Sequence, residues 1–234
     1  KNGAILTSGI FNSNDTDLVD KLNFLDNLKC INDVLKLWEY RGLSLAGKIL
    51  IFKSLALSKL LYACTMRVPS NQVIDQLNIM HKEFIWSNKR PKIKHSTLIA
   101  NYKEGGYKDI DIKAKISALK VTWITRLLDN NFHPWKIIPN LIFSNIGGIK
   151  IIFHLNLQVS KDCLIKTKKY PKFYQELIKL WSNVSQKEPL ETSNICNEVI
   201  WNNRMIMSKG ETLFNKYLIT KGIIIIQDII NVRG

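Results

Sequence analysis

The chain has 234 residues, of which 46% are hydrophobic and 23% charged. That balance excludes a disordered tail and supplies enough apolar surface for one large core or two small ones. A formal net charge of +15, with a pI near 9.6, favours a polyanionic partner, nucleic acid before an acidic membrane surface.

Gly and Pro are sparse, at 11 and 6 residues, which favours helices over a β-sandwich. The chain opens at Lys1-Asn2-Gly3 without an initiator Met and reads as a fragment or a processed product. Residues 1–14 carry no helical period and read as a strand or loop. A helix is predicted over 15–41, capped by Asp15 or Asp17, with Phe24, Leu28, Ile31, Leu35 and Trp38 forming one apolar stripe. Leu18, Leu22 and Leu25 begin a neighbouring stripe. A second helix is predicted over 44–64 with Ser44 as its cap. It is apolar on most faces, so it belongs between neighbours. Lys48 and Lys59 are eleven positions apart and would project from nearly the same side of one continuous α-helix.

A third helix is predicted over 71–87, capped by Ser70, with Val73, Leu77, Met80 and Phe84 as its stripe. The stretch Asn88-Lys89-Arg90-Pro91-Lys92-Ile93-Lys94-His95 follows. It holds four Lys or Arg and no acid, and Pro91 disfavours a continuing helix. The fourth helix, 111–128, carries a stripe of Ile112, Ile116, Leu119, Trp123 and Leu127 flanked by Lys113, Lys115, Lys120 and Arg126. Its opposite face is small: Ala114, Ser117, Ala118, Thr122 and Thr125. Two readings compete: the stripe packs inward with the basic stems snorkelling around it, which is preferred, or the small face lets the helix lie close to a nucleic-acid backbone. Pro134, Pro139, Gly147 and Gly148 then mark an irregular connector over 131–170. A C-terminal helical unit over 171–234 contains a stripe of Phe173, Leu177, Leu180, Trp181 and Val184. Residues 211–220 form another short helix, and 223–230 suit either a strand or a short helix, the helix being preferred. The fold expected is therefore mainly α, a helical bundle over 15–130 followed by a smaller helical unit.

Charge is uneven along the chain. Residues 1–40 carry −2, 41–126 carry +11 and 127–234 carry +6, which places the contact surface in the middle third. Cys30, Cys64, Cys163 and Cys196 are far apart, and none has a His at zinc-ligand spacing. They read as free thiols in a reducing, intracellular compartment. The most apolar run begins at Ile223 and is broken by Gln227 and Asp228, so no membrane partner is expected.

No catalytic constellation emerges. Asp109 and Asp111 would share a face on a strand, but just ahead of a helix they read as cap and dipole residues. His81 lies on the flank of a helical stripe and reads as packed. Gly105-Gly106 and Gly147-Gly148 are turn signals, not phosphate-binding loops.

Several stretches taken in order resemble one family. Trp38-Glu39-Tyr40-Arg41-Gly42-Leu43-Ser44-Leu45-Ala46-Gly47-Lys48, continued by Lys53-Ser54-Leu55, is similar to the W-x-x-R-x-L-S-L-x-G-K-x-x-x-x-K-S-L segment that follows the palm in reverse transcriptases of non-LTR (LINE-type) retrotransposons. Leu57-Ser58-Lys59-Leu60-Leu61-Tyr62, Phe84-Ile85-Trp86-Ser87-Asn88-Lys89 and Gly105-Gly106-Tyr107-Lys108-Asp109-Ile110-Asp111 continue the likeness. Tyr107 and Ile110 depart from the family's G-G-L-x-x-P-D. Ala118-Leu119-Lys120, Trp123 to Leu128, Pro171 to Tyr174, Trp181 and Val199-Ile200-Trp201-Asn202-Asn203 complete it.

The resemblance implies a thumb region at 15–130, preceded at 1–14 by a segment leading from a palm that lies upstream, and followed by a downstream connector. It implies an RNA template and an RNA–DNA hybrid or DNA as partners, with fingers and palm as protein partners. A nuclear or cytoplasmic location follows. The chain itself would need no cofactor, whereas the parent polymerase would need magnesium. The aromatic-Ala-Asp-Asp turn that holds those ions is absent, so the chain is not expected to polymerise alone. Lys48, Lys53, Lys59, Lys89, Arg90, Lys92 and Lys94 are the positions carried over as backbone contacts, with Lys113 and Lys120 added from the fourth helix. Two rival readings stay open: a degenerate transposon relic retaining at most protein contacts, and an independent helical DNA-binding regulator.

Overall fold

The structure is a computed structural model that describes residues 3–144, 146–154, 156–158, 168–184 and 195–233. Among these, helices dominate, and the sheets are two short hairpins. The chain divides into two compact units, Lys1–Leu119 and Lys120–Gly234. The boundary expected near residue 130 therefore lies ten residues beyond this division.

The first unit begins with a hairpin, β1 (Ile5–Thr7) and β2 (Ile10–Asn12), pairing Leu6 with Phe11. Ser8 and Gly9 both have positive φ, the requirement of the tightest two-residue turn. Asn23, buried in the helix that follows, fixes the hairpin. Its carbonyl accepts from Phe11 N at 2.9 Å, and its amide donates to the Phe11 carbonyl at 2.8 Å.

The helix predicted over 15–41 forms as α1 (Thr16–Asp20), a π-helical turn (Lys21–Leu25) and α2 (Asp26–Glu39). Asp15 caps it, accepting from Asp17 N and Leu18 N. The wider turn shifts the buried face by one residue. Val19 is buried before it, the adjacent Asn23 and Phe24 within it, and Leu28, Ile31 and Leu35 after it.

The helix predicted over 44–64 shows the same device. It forms as α3 (Leu45–Ile51), a π-helical turn (Phe52–Ala56) and α4 (Ser58–Met66), bent by 49°. Ser44 caps it as expected, accepting from Gly47 N at 3.2 Å. Ala56 and Leu57, adjacent in sequence, are both buried, which marks the shift of phase. The expectation that Lys48 and Lys59 share a side is corrected accordingly: Lys48 is buried and Lys59 exposed.

Next come α5 (Asn71–Trp86), α6 (His95–Ile99) and α7 (Ile112–Leu128). Ser70 precedes α5 without a side-chain capping bond. Asp111 caps α7 as expected, accepting from Ala114 N at 2.9 Å. Phe24, Phe52, Leu60 and Leu77, each 0% exposed, form the centre of the first core together with Ile112 and Ile116.

In the second unit, 131–170 contributes more than an irregular connector. It holds α8 (Ile137–Ser144) and α9 (Ile149–Ile152), whose Phe143, Ile149 and Ile152 enter a core with Ile124, Leu127, Leu177 and Ile178. Pro139 lies in the first turn of α8, where no helical N–H is lost, so it starts a helix instead of preventing one. Beyond α10 (Lys172–Val184) come β3 (Met207–Ser208), β4 (Glu211–Thr212), α11 (Lys216–Thr220) and α12 (Ile226–Arg233). The ambiguity at 223–230 resolves as an extended lead-in, with Ile225 bridged to Val199, followed by helix. Cys163 lies outside the described residues.

Lys120 was expected on a solvent-facing flank. The structure corrects this: its side chain is fully buried, with Nζ 3.2 Å from Glu176 and 4.3 Å from the centroid of Phe173. Burial that removes an ammonium from water is tolerated when a carboxylate and an aromatic face replace the lost solvation.

Around Trp201 the second unit holds a buried polar network. The Trp201 indole donates to the Ile223 carbonyl at 2.7 Å, and the Asn203 amide to Glu198 at 2.8 Å. His154 Nε2–H donates to the Trp201 carbonyl at 3.1 Å, and burial pushes the imidazole down to about 4. An unfolded histidine keeps its ordinary value near 6.5, so between these values the unfolded chain binds the extra proton. Stability should therefore fall as pH drops from 6.5 to 4, by up to about 3 kcal/mol from this residue. Chemical unfolding across that range checks it: the decline should be shallower in His154→Gln than in the parent chain.

Candidate nucleic-acid interface

The basic segment is presented by a sharp exit from α5. Ser87 and Asn88 both take the left-handed conformation, with φ of 50° and 59°. The Asn88 N–H then closes on the Glu83 carbonyl at 2.9 Å. Asn tolerates this region better than most residues because its short polar chain bonds locally. Past Pro91 the chain bends at Lys92 and Ile93 and enters α6 at His95. Lys89, Arg90, Lys92 and Lys94 are all exposed on this loop. Among the described residues, no carboxylate pairs with any of the four. Their charge therefore faces solvent uncompensated.

The fold brings further cations to the loop. Lys94 and Lys113, distant in sequence, line one cavity of about 620 Å³ together with Lys82. Asn78, Trp86 and Pro91 also line it. Lys82 escaped sequence reasoning because it sits alone on α5, away from the charge cluster.

The other expected contacts separate. Lys59 is exposed on α4. Lys53 donates to the Lys108 carbonyl at 2.7 Å, so it also ties its own helix to the loop before α7. Lys48 is corrected to an internal role. It is only 7% exposed, donates to the Ser87 hydroxyl and lies 5.7 Å from the Phe84 ring centroid. Its ammonium holds the end of α5, the point from which the basic loop departs.

The segment between α6 and α7 leads to Asp111 and Lys113, which line the cavity with Leu98 of α6. Asn101 and Glu104 form a reciprocal capping box around a short 3-10 turn, and Gly105 ends it with φ +77°. Gly106 then passes very close to α6. A Cβ there would lie 2.0 Å from the Ala100 carbonyl oxygen and 2.7 Å from that of Thr97. The return is held by three bonds: Tyr107 N and Asp109 N to the Leu98 carbonyl, at 3.0 and 2.9 Å, and Lys108 N to that of Ala100, at 3.0 Å. This delivers Asp109 into the interior, where Oδ1 lies 3.0 Å from His81 Nε2 and accepts from Ile110 N at 2.8 Å. His81 is packed, as the sequence suggested, with its ring 4.4 Å from that of Phe52. The sequence reading of Asp109 as a helix-terminal acid is corrected, because Asp111 alone provides the cap and Asp109 turns inward.

No protein-family model matches the chain. It is similar to the Transposon TX1 uncharacterized 149 kDa protein of Xenopus laevis, at 23% identity over 181 residues. The match covers 75% of this chain and 14% of that protein, so the chain spans a small part of its relative's length.

Gly106→Ala should destabilise the chain by about 2–4 kcal/mol, because the clash is with backbone that cannot rotate away. Gly105→Ala, which meets no atom within 4 Å, should cost only about 1 kcal/mol from its positive φ. Urea unfolding of the two variants measures the difference.

Proposed function

We propose that this chain derives from a non-LTR retrotransposon and corresponds to the thumb and downstream connector of its reverse transcriptase. In this reading it grips the template–primer duplex during target-primed reverse transcription while catalysis belongs to a palm elsewhere in the parent polymerase. Three things support it: similarity to a transposon protein, the ordered motifs between Trp38 and Asn203, and the strongly basic middle third. The observation that carries it is the loop of Lys89, Arg90, Lys92 and Lys94, exposed and without carboxylate partners among the described residues, beside a cavity edged by Lys82 and Lys113.

Mechanistically, the loop neutralises phosphates and releases counterions without reading bases, since phosphate contacts position a protein but carry no sequence information. Lys59 extends the positive surface on α4, and Lys53 serves where its bond to Lys108 leaves it accessible. Lys48 and Lys120 are not part of the grip, being engaged by Ser87 and Glu176. An A-form-like hybrid would be sensed by its shape and 2′-hydroxyls along a shallow minor groove.

Binding of the purified chain to a short RNA–DNA hybrid across a salt series tests this. Affinity should fall steeply with salt. Changing Lys89, Arg90, Lys92 and Lys94 together to Ala should weaken binding and make the salt slope shallower, by about one for every phosphate left without its cation. A folded chain that fails to bind at low salt would rule the grip out and leave a transposon relic as the better account. Strong preference for one DNA sequence would instead favour a regulator.

A further inference from the structure

We propose that His81, His95 and Asp109 form a binding site for a divalent first-row transition-metal ion, zinc foremost. The inference is independent of nucleic-acid binding. Each of the three side chains offers a ligand atom, and these atoms all lie within 4.8 Å of one another. His81 Nε2 is 3.0 Å from Asp109 Oδ1, and His95 Nε2 is 3.6 Å from Asp109 Oδ2. Donors on a tetrahedral zinc ion sit about 3.3 Å apart when each bond is about 2.0–2.1 Å. The two separations, which run to different oxygens of the Asp109 carboxylate, lie on either side of that value, and turning the side chains within their 4.8 Å span brings both nitrogens and a carboxylate oxygen onto one ion.

The second observation is an orphan. The Asp109 side chain is 0% exposed, and its Oδ2 has no hydrogen-bond partner. A buried carboxylate oxygen left unsatisfied carries its full desolvation cost, and native structures rarely retain one without a reason. The neighbouring His95 nitrogen stands just beyond hydrogen-bonding distance, as two ligands of one ion would. A bound cation would satisfy Oδ2 and supply the charge that the buried carboxylate lacks.

The surroundings suit a fixed site. His81 is held by the Phe52 ring, and Asp109 by the Leu98 carbonyl and the Ile110 N–H. These are the outer contacts that orient metal ligands. His95 is half-exposed at 50% and lines the 620 Å³ cavity together with His81, which leaves room for a water or other oxygen as the fourth ligand. Two imidazoles and one carboxylate select zinc-like ions over magnesium or calcium, which need oxygen donors throughout. Lys82, Lys94 and Lys113 also line the cavity, with only Asp111 opposing them, so a loosely held hard cation would be repelled. Coordinate bonds to nitrogen overcome that repulsion.

The test is titration of the full, chelator-stripped chain with Zn²⁺ by calorimetry and with Co²⁺ by visible absorption. One ion should bind per chain. The cobalt spectrum should be that of a four- or five-coordinate nitrogen–oxygen site, without thiolate charge transfer, and zinc should raise the unfolding temperature. His95→Ala should weaken zinc binding more than about 100-fold, beyond the range that outer contacts contribute. Because His95 is half-exposed, that variant should keep the parent's circular dichroism and its metal-free unfolding temperature. His95→Cys, which restores a ligand atom, should recover binding and introduce the thiolate band. The proposal fails if the parent chain takes up no ion, if His95→Ala binds as tightly as the parent, or if the parent's cobalt spectrum shows thiolate ligation.

Discussion

The first unit depends on one backbone approach. Gly106 passes α6 so closely that any side chain would overlap the Ala100 carbonyl. Because it does, Tyr107 and Asp109 can share the Leu98 carbonyl, and the chain turns inward before α7 begins. That inward turn buries Asp109 beside His81 and His95, lays Lys113 along the same cavity as Lys94, and gives Lys53 a carbonyl to hold at Lys108. A glycine pair that looks like a simple turn thus fixes a charged cavity. Gly105 supplies the conformation, and Gly106 supplies the space.

A second constraint is helical phase. Helices built from 3.6 residues per turn drift relative to a fixed core, and one extra residue in a π turn resets the drift. The first unit uses this twice, with Phe24 and Phe52 buried in the two wide turns. The device explains why the segment from Leu45 to Met66 is apolar on nearly every face: two stripes, offset by one residue, serve the same core before and after the reset. It also decides which lysines are available. Lys48 falls on the buried side and anchors Ser87, whereas Lys59 emerges into solvent.

In the second unit, burial of polar groups replaces some of the work of apolar packing. Glu198 accepts from both Asn156 and Asn203, and Trp201 lies between the carbonyl of Ile223 and the imidazole of His154. Such a network fixes one arrangement because any slip leaves a buried donor unmatched. Lys120 follows the same logic, with Glu176 and Phe173 taking the place of water.

The helical class, most helix positions, the caps at Asp15, Ser44 and Asp111, and the exposed basic loop were all legible in the order of residues. They follow from local rules: apolar spacing, a side-chain oxygen before the first turn, and a proline amid uncompensated charge. The ordered motifs from Trp38 to Asn203 were legible there too. Folding in three dimensions settled the rest: which cations are engaged internally, that residues 131–170 contribute helices to a core, and that Asp109 faces His81 and His95. Each of these depends on a partner remote in the chain or on a one-residue shift of phase. Local propensity cannot tell a snorkelling lysine from one, like Lys120, whose carboxylate arrives from a later helix. Nor can it tell a capping aspartate from one that a close glycine return carries into the interior.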